Sequence, residues 1–142
     1  MSSPQQRLQT AMQYALSHRP EVGGFPYLAE CLRLAGVTQN VWSLPSAQSI
    51  YMLNDGVVVH QDTPLVSGIH DVPNFNEEAL ITAIRKDQAG QSTFPQFLSA
   101  TWNAGVTKYD VDFSERTVTY YGARGEYYKE SYPPTDIGEV SF

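Results

Sequence analysis

The residues best suited to chemistry lie close together near the middle of the chain. His60, Asp62, His70 and Asp71 fall within twelve positions, and imidazole and carboxylate groups can bind a metal ion or transfer protons. The segment lacks the His-x-x-x-His and Cys-x-x-Cys spacings of metal sites, and the same side chains suit a solvated loop. The sequence therefore predicts no metal site and assigns no catalytic residue.

The chain's other nucleophiles give no catalytic pattern. Cys31 is the single cysteine, and it falls on the apolar stripe of a predicted helix, where a thiol usually packs as a small apolar side chain. A histidine beside it in space would instead make it a candidate nucleophile. No serine has a Gly-x-Ser-x-Gly context, and no glycine-rich loop has the spacing of a nucleotide site. We expect no cofactor.

Tyrosines crowd the last predicted hairpin, at positions 120, 121, 127, 128 and 132. Adjacent residues of a strand point to opposite faces, so one tyrosine of each pair can join the core while the other stays outside. Exposed tyrosines favour a binding surface, with Tyr121 and Tyr128 as the candidates. Tyrosine is also common in strands for packing reasons alone, and both interpretations stay open.

Composition limits the class of protein. The 142 residues carry a formal net charge of −6, which disfavours binding to nucleic acid phosphates. A lone cysteine excludes a scaffold held by internal disulfides. The first residues lack the apolar stretch of a signal peptide, and no apolar run is long enough to span a membrane. We expect a single cytoplasmic domain over residues 1–142 with no membrane association.

The hydrophobic pattern predicts two sets of elements. Apolar residues recur at helical spacing from Pro4 to His18, from Phe25 to Ala35, after Asn74 or Asn76, and after Thr93, where Thr93 and Gln96 form a potential capping box. Strands are predicted after each pair of helices, and Asn54-Asp55-Gly56 has the sequence of a hairpin turn. Residues 61–73 are the least regular stretch.

The two sets resemble each other. Residues 25–38 and 94–107 share Phe-Pro at the start and Ala-Gly-Val-Thr at the end, at a constant offset of 69 and with six matches in fourteen positions. Convergence on common helix caps would explain the proline and glycine, but it explains the other matches less well. We therefore predict an α+β fold in which four helices pack on antiparallel sheet, built from two helix-helix-strand units at about 4–60 and 74–132. The units could share one sheet or face each other as lobes.

The sequence also resembles a known family. Its similarity to the YbcV-like family, small bacterial proteins often encoded in prophages, covers about residues 25–134 and rests on these segments: YDVDF at 109–113, RTVTYYG at 116–122, Gly125-Glu126, Tyr128, Tyr132-Pro133, DQAG at 87–90, STFP at 92–95, Gly36-Val37, Trp42, LPS at 44–46, Gln48-Ser49 and TPLV at 63–66. The resemblance implies a group without an established activity, so it supplies no catalytic residues.

Two functions remain. The first is a non-enzymatic binding or regulatory module of prophage type that acts on a protein or ligand through its sheet face, or by self-association into a homo-oligomer. The second is a small-molecule enzyme or ligand carrier that uses the region from Trp42 to His70, including His60, in a groove between the two units. The tyrosine-rich hairpin favours the first, and the histidines and Trp42 favour the second.

Overall fold

A computed structural model describes residues 2–142 as two successive sets of elements, each with two helices followed by three strands. The first set contains α1 (Pro4–His18), α2 (Gly24–Leu34), β1 (Val37–Ser43), β2 (Gln48–Leu53) and β3 (Gly56–Gln61). The second contains α3 (Glu77–Gln88), α4 (Phe94–Asn103), β4 (Val106–Asp112), β5 (Thr117–Gly122) and β6 (Tyr127–Ser131).

Local sequence explains where the helices begin. The Thr93 hydroxyl accepts a hydrogen bond from the Gln96 amide at 3.3 Å, and the Gln96 side chain accepts one from the Thr93 amide at 2.9 Å. This confirms the capping box that the sequence predicts for α4. Ser3 and Gln6 form the same box at α1, and Asn76 caps α3. Each cap satisfies amides that would otherwise lack partners in the first turn.

All six strands form one antiparallel sheet in the order β3-β2-β1-β4-β5-β6. The predicted α+β class is confirmed. Of the two arrangements that the sequence left open, the chain adopts the shared sheet, because β1 of the first unit pairs directly with β4 of the second.

The two halves have matching geometry at the offset of 69. Ala47 and Arg116 have positive φ angles of 53° and 55° at equivalent turns. The Leu44 amide donates to the Thr107 carbonyl at 2.9 Å, and the equivalent Phe113 amide donates to the Thr38 carbonyl at 3.1 Å. These reciprocal bonds relate the halves by a pseudo-twofold axis between β1 and β4, as two repeated units would require.

The helices cover one face of the sheet, here called the inner face. Its side chains on β1, β2, β4 and β5, among them Trp42, Tyr51 and Tyr109, are buried, whereas alternate residues such as Tyr121 and Tyr127 point to the outer face and are half-buried or exposed. This alternation is the two-residue period of a sheet with one covered face. Across residues 2–142, no helix is both long and apolar enough to cross a membrane.

Candidate functional site

A cleft of about 1140 Å³ lies between the two helical pairs and the inner face of the sheet. Within each unit the helices pack on each other, α1 on α2 and α3 on α4. Space therefore remains above the junction of β1 and β4. The sheet provides the floor of the cleft, the helices its walls, and the α1–α2 and α3–α4 loops its roof.

The floor is rich in aromatic side chains from the central strands. Trp42 on β1 is paired in register with Tyr109 on β4, and their rings stack with centroids 6.0 Å apart. Tyr109 in turn meets Tyr120 on β5 at 5.6 Å. These rings form a continuous apolar surface that crosses from the first unit to the second, and such surfaces line most small-molecule sites.

The repeated Phe-Pro pairs mark the two sides of the cleft. Phe94, at the start of α4, packs edge-on against Trp42 of the first unit at 5.4 Å. Phe25, near the start of α2, packs edge-on against Tyr132, which follows β6 of the second unit, at 5.2 Å. Each phenylalanine lines the cleft and contacts the other unit, so the repeated motif joins the halves around the cavity.

Three polar groups in the floor lack hydrogen-bond partners in the described part of the chain. Asn40 is 4% exposed and donates from Nδ2 to the Ile50 carbonyl at 3.0 Å, but its Oδ1 accepts no hydrogen bond. Tyr109 and Tyr120 are each 6% exposed, and their hydroxyls make no hydrogen bond to residues 2–142. All three line the cleft. Among the described residues, the side-chain oxygens that are fully enclosed without a partner are Ser49 Oγ and Asp110 Oδ1. The oxygens of Asn40, Tyr109 and Tyr120 are instead reached from the cleft, where water or a ligand can form hydrogen bonds with them.

Burial also controls the charge state of the floor. It raises the pKa of Tyr109 and of Tyr120, because the ionised phenolate would lose its hydration. Nearby phenols and carboxylates, including that of Asp87, raise these pKa values further. Both hydroxyls therefore stay protonated at neutral pH and can each donate and accept a hydrogen bond.

Asp87 brings a carboxylate to the wall of the cleft. It lies in the last turn of α3, is half-buried, and accepts a hydrogen bond from the Ser92 hydroxyl at 3.2 Å. Burial raises its pKa, although Ser92 and the charge of Arg19 act in the opposite direction. Within residues 2–142 no cation lies within salt-bridge distance of Asp87.

Glu130 also lines the cleft, but its oxygens are already engaged. The Arg85 guanidinium donates two hydrogen bonds to it at 3.0 Å, the Tyr128 hydroxyl one at 2.6 Å, and Gln88 one at 3.1 Å. Burial acts to raise the pKa of Glu130, but the bonds from Arg85 and Tyr128 outweigh it and the pKa is lowered. This cluster fixes β6 to α3 and leaves Glu130 little capacity for a ligand.

The two loops of the roof meet above the cavity. A Cβ atom added to Gly90, in the α3–α4 loop, would lie 2.8 Å from the Glu21 carbonyl oxygen in the α1–α2 loop. Gly23, in that same loop, has no atom within 4 Å of the equivalent position. The two loops therefore approach each other closely at Gly90.

The residues singled out from the sequence do not form one site. Trp42 and His60 line the cleft, whereas His70 is exposed in the 61–73 loop and does not line it. Tyr121 lies on the outer face, where the Lys108 ammonium sits 4.7 Å from its ring centroid, and Tyr128 lies on the inner face, bonded to Glu130. The described residues contain no cluster of three or more potential metal ligands.

Cys31 is fully buried, and burial raises the pKa of its thiol, so it packs as a small apolar residue.

The sequence alone did not indicate four of the residues that line the cleft: Asn40, Tyr109, Tyr120 and Asp87. A signal existed for two of them. Asn40 interrupts an otherwise apolar face two residues before Trp42, and Asp87 places an acid in the last turn of a helix, where the dipole disfavours it.

Comparison with known proteins gives relatives but no activity. Two proteins described as uncharacterized, one from Mycobacterium bovis and one from Mycobacterium tuberculosis, are each 49% identical over 132 residues, covering 93% of this chain and 80% of the relative. Residues 16–130, which include α2, α3, α4 and the strands β1 to β5, match the model of a family described as a protein of unknown function. The chain therefore belongs to that family, DUF1398.

Proposed function

We propose that this protein binds a small, largely apolar molecule in the cleft between its two units. Of the two functions that the sequence left open, this is the ligand-carrier interpretation, with the site moved from the Trp42–His70 segment to the junction of β1 and β4. It requires no catalytic group, and binding alone would account for the geometry of the cleft.

One observation carries the proposal: the floor of a large aromatic cavity presents polar groups that have no hydrogen-bond partner among the described residues. Ligand pockets typically occupy about 300–1,000 Å³ and combine apolar walls with a few polar groups that set orientation. The cleft, at about 1140 Å³, is of that order. Asn40 Oδ1 and the phenols of Tyr109 and Tyr120 are the polar groups of this kind in the floor, and they are available to orient a ligand.

Titration with the neutral apolar dye N-phenylnaphthylamine tests this proposal. We expect saturable fluorescence enhancement with one dye per chain, and a rise in Tm as the dye concentration increases, because a ligand that prefers the folded state stabilises it. Trp102→Phe leaves Trp42 as the remaining tryptophan, so quenching of its emission would place the dye in the cleft. Absence of saturable binding would refute the proposal.

Phe94→Ala and Tyr127→Ala form a matched pair of aromatic truncations. Phe94 is 43% exposed and lines the cleft, whereas Tyr127 is 65% exposed on the outer face. Loss of an aromatic contact of about 1–2 kcal/mol weakens binding roughly tenfold. We expect this loss for Phe94→Ala and an unchanged affinity for Tyr127→Ala; equal effects would place the dye elsewhere.

A second function is supported by the outer face of the sheet. Val57 and Val59 are exposed there on the edge strand β3, and Tyr127 is exposed there on the opposite edge strand, β6. Exposed apolar side chains are typical of interaction sites. We propose self-association through this face as the alternative, with the paired residues Tyr121 and Tyr127 of β5 and β6 in the interface. Light scattering would test it: a dimer that becomes monomeric in Tyr127→Glu supports the interface, and a monomer at every concentration contradicts it.

The cellular role remains a proposal of the same kind. The resemblance to the YbcV-like family supports a cytoplasmic, prophage-type regulatory module, and the net charge of −6 argues against a nucleic acid partner. If the gene belongs to a prophage, its deletion should change phage yield or the timing of lysis. An unchanged yield would remove the prophage role while leaving the binding proposal intact.

A further inference from the structure

We propose that the ligand of the cleft is an apolar or aromatic monocation, and that Asp87 is the carboxylate that receives its charge. This inference rests on the proposed function and deepens it, because it assigns the class of ligand. Three independent features of the cleft lead to it: the setting of Asp87, the groups beside it, and the balance of charge along the lining.

The fold alone gives little stabilisation to the negative charge of Asp87. It is half-buried, it lies at the C-terminal end of α3, and no described cation is within salt-bridge distance. Negative charge at a helix C-terminus is opposed by the helix dipole, and an unpaired buried charge is destabilising. A cation bound in the cleft would offset both effects.

The groups beside Asp87 suit a cation with an apolar body. Asp87 is close enough to Tyr109 and Tyr120 for its charge to act on both phenols. Their hydroxyls and Asn40 Oδ1 are free to accept hydrogen bonds from an ammonium group, and the aromatic rings of the floor attract cations through their faces. Trp42 and Phe94 then provide apolar contacts for the rest of the ligand.

The charged residues that line the cleft also favour a positively charged ligand. Among the described residues that line the cleft, Arg19 is the one guanidinium or ammonium, whereas Glu21, Asp62, Asp87 and Glu130 supply four carboxylates. Glu130 is already paired with Arg85, which leaves three carboxylates against Arg19. Arg19 is exposed at the roof; its charge reaches Asp87, but it forms no salt bridge with that carboxylate.

Three probes with the same body and different charge test the inference: phenylbutylamine, phenylbutanol and phenylbutyrate. Binding is measured by calorimetry and by quenching of Trp42 emission in the Trp102→Phe variant. Hydrogen bonds to charged groups contribute about 1.5–3 kcal/mol, so we expect the amine to bind at least about tenfold more tightly than the alcohol, with phenylbutyrate weakest. Equal affinities, or a preference for phenylbutyrate, would overturn the inference.

Asp87→Asn and Asp71→Asn provide the matched variants. Asp71 is exposed and does not line the cleft. We expect Asp87→Asn to abolish the preference for the amine and keep the affinity for the alcohol, whereas Asp71→Asn leaves both unchanged. If Asp87→Asn still binds the amine more tightly than the alcohol, the role of Asp87 is wrong. In the unmodified protein, added salt should reduce the difference in affinity between the amine and the alcohol.

The result separates this inference from the proposed function. If N-phenylnaphthylamine binds but the amine shows no advantage, the cleft binds ligands and the cationic class is wrong. If neither the dye nor any of the three probes binds, the proposed function itself fails. If Asp87→Asn does not fold, the amine–alcohol ratio and its salt dependence in the unmodified protein decide the question.

Discussion

The roof of the cleft predicts a difference between two glycine substitutions, Gly90→Ala and Gly23→Ala. Both residues have positive φ angles, 72° and 76°, and both lie in loops that line the cleft. A Cβ atom at Gly90 would lie 2.8 Å from the Glu21 carbonyl oxygen, whereas one at Gly23 meets nothing within 4 Å. The pair therefore separates backbone strain, which the two variants share, from contact between the loops.

The structure sets the size of each effect. An L-residue in the left-handed region costs about 1–2 kcal/mol, and this applies to both variants. Replacing glycine with alanine also reduces the freedom of the unfolded chain by a similar amount at the two sites. At Gly90 the new methyl must retreat by roughly 0.5 Å to reach even a weak C–H···O separation of roughly 3.3 Å. Overpacking of this kind adds about 1–3 kcal/mol.

Urea unfolding of the two variants measures this difference. We expect Gly90→Ala to lose at least about 1 kcal/mol more in free energy of unfolding than Gly23→Ala. Because the displaced loops open the roof, stopped-flow mixing with N-phenylnaphthylamine should show faster association and faster dissociation for Gly90→Ala alone. Equal losses of stability would refute the close approach, and unchanged rates would refute the roof as the route of ligand entry.

Two carboxylates of the cleft should respond to pH in opposite directions. The folded-state pKa of Asp87 is raised, so its contribution to stability is present below the unfolded pKa and is lost as the pH rises through the folded pKa. We therefore expect Asp87→Asn to raise Tm at neutral pH. This gain in Tm should vanish near about pH 3, where Asp87 is protonated in both states. The folded-state pKa of Glu130 is lowered, so its contribution is present above the unfolded pKa and is lost as the pH falls through the folded value. Glu130→Gln should lower the free energy of unfolding by about 1 kcal/mol at neutral pH, because Arg85 is partly exposed and solvent screens the pair, and the deficit should shrink in acid. Thermal melts of both variants from acid to neutral pH test these two predictions. If the change in Tm depends on pH in the same direction for both variants, the opposite pKa shifts of Asp87 and Glu130 are wrong.

The sequence predicts the elements because their signals are local. The capping box at Thr93, the hairpin turn at Asn54-Asp55-Gly56 and the alternation from Tyr109 to Phe113 each depend on a few neighbouring residues. All three appear in the structure. The offset of 69 extends in the structure beyond the matched residues, because Ala47 and Arg116 lie at equivalent turns with similar positive φ angles.

The cleft could not be predicted in the same way. It depends on where two helical pairs lie relative to each other above a sheet, and this is fixed by the pairing of β1 with β4, residues far apart in the chain. The sequence places Tyr120 and Tyr121 on opposite faces but does not say which face the helices cover. His70 lies near His60 in sequence, yet the 61–73 loop carries it away from the lining.

One further feature supports the proposed binding function: the backbone of the two halves repeats, but the side chains in the floor of the cleft do not. At the offset of 69, Asn40 corresponds to Tyr109 and Trp42 to Val111, although the strands that carry them are equivalent. Stability alone would be served by similar apolar residues at both positions, because the two environments are related by the pseudo-twofold axis. The halves instead place an amide on one side of the axis and a phenol on the other. A cavity with two different sides can hold an unsymmetrical ligand in a single orientation, which a symmetric pair of repeats could not do.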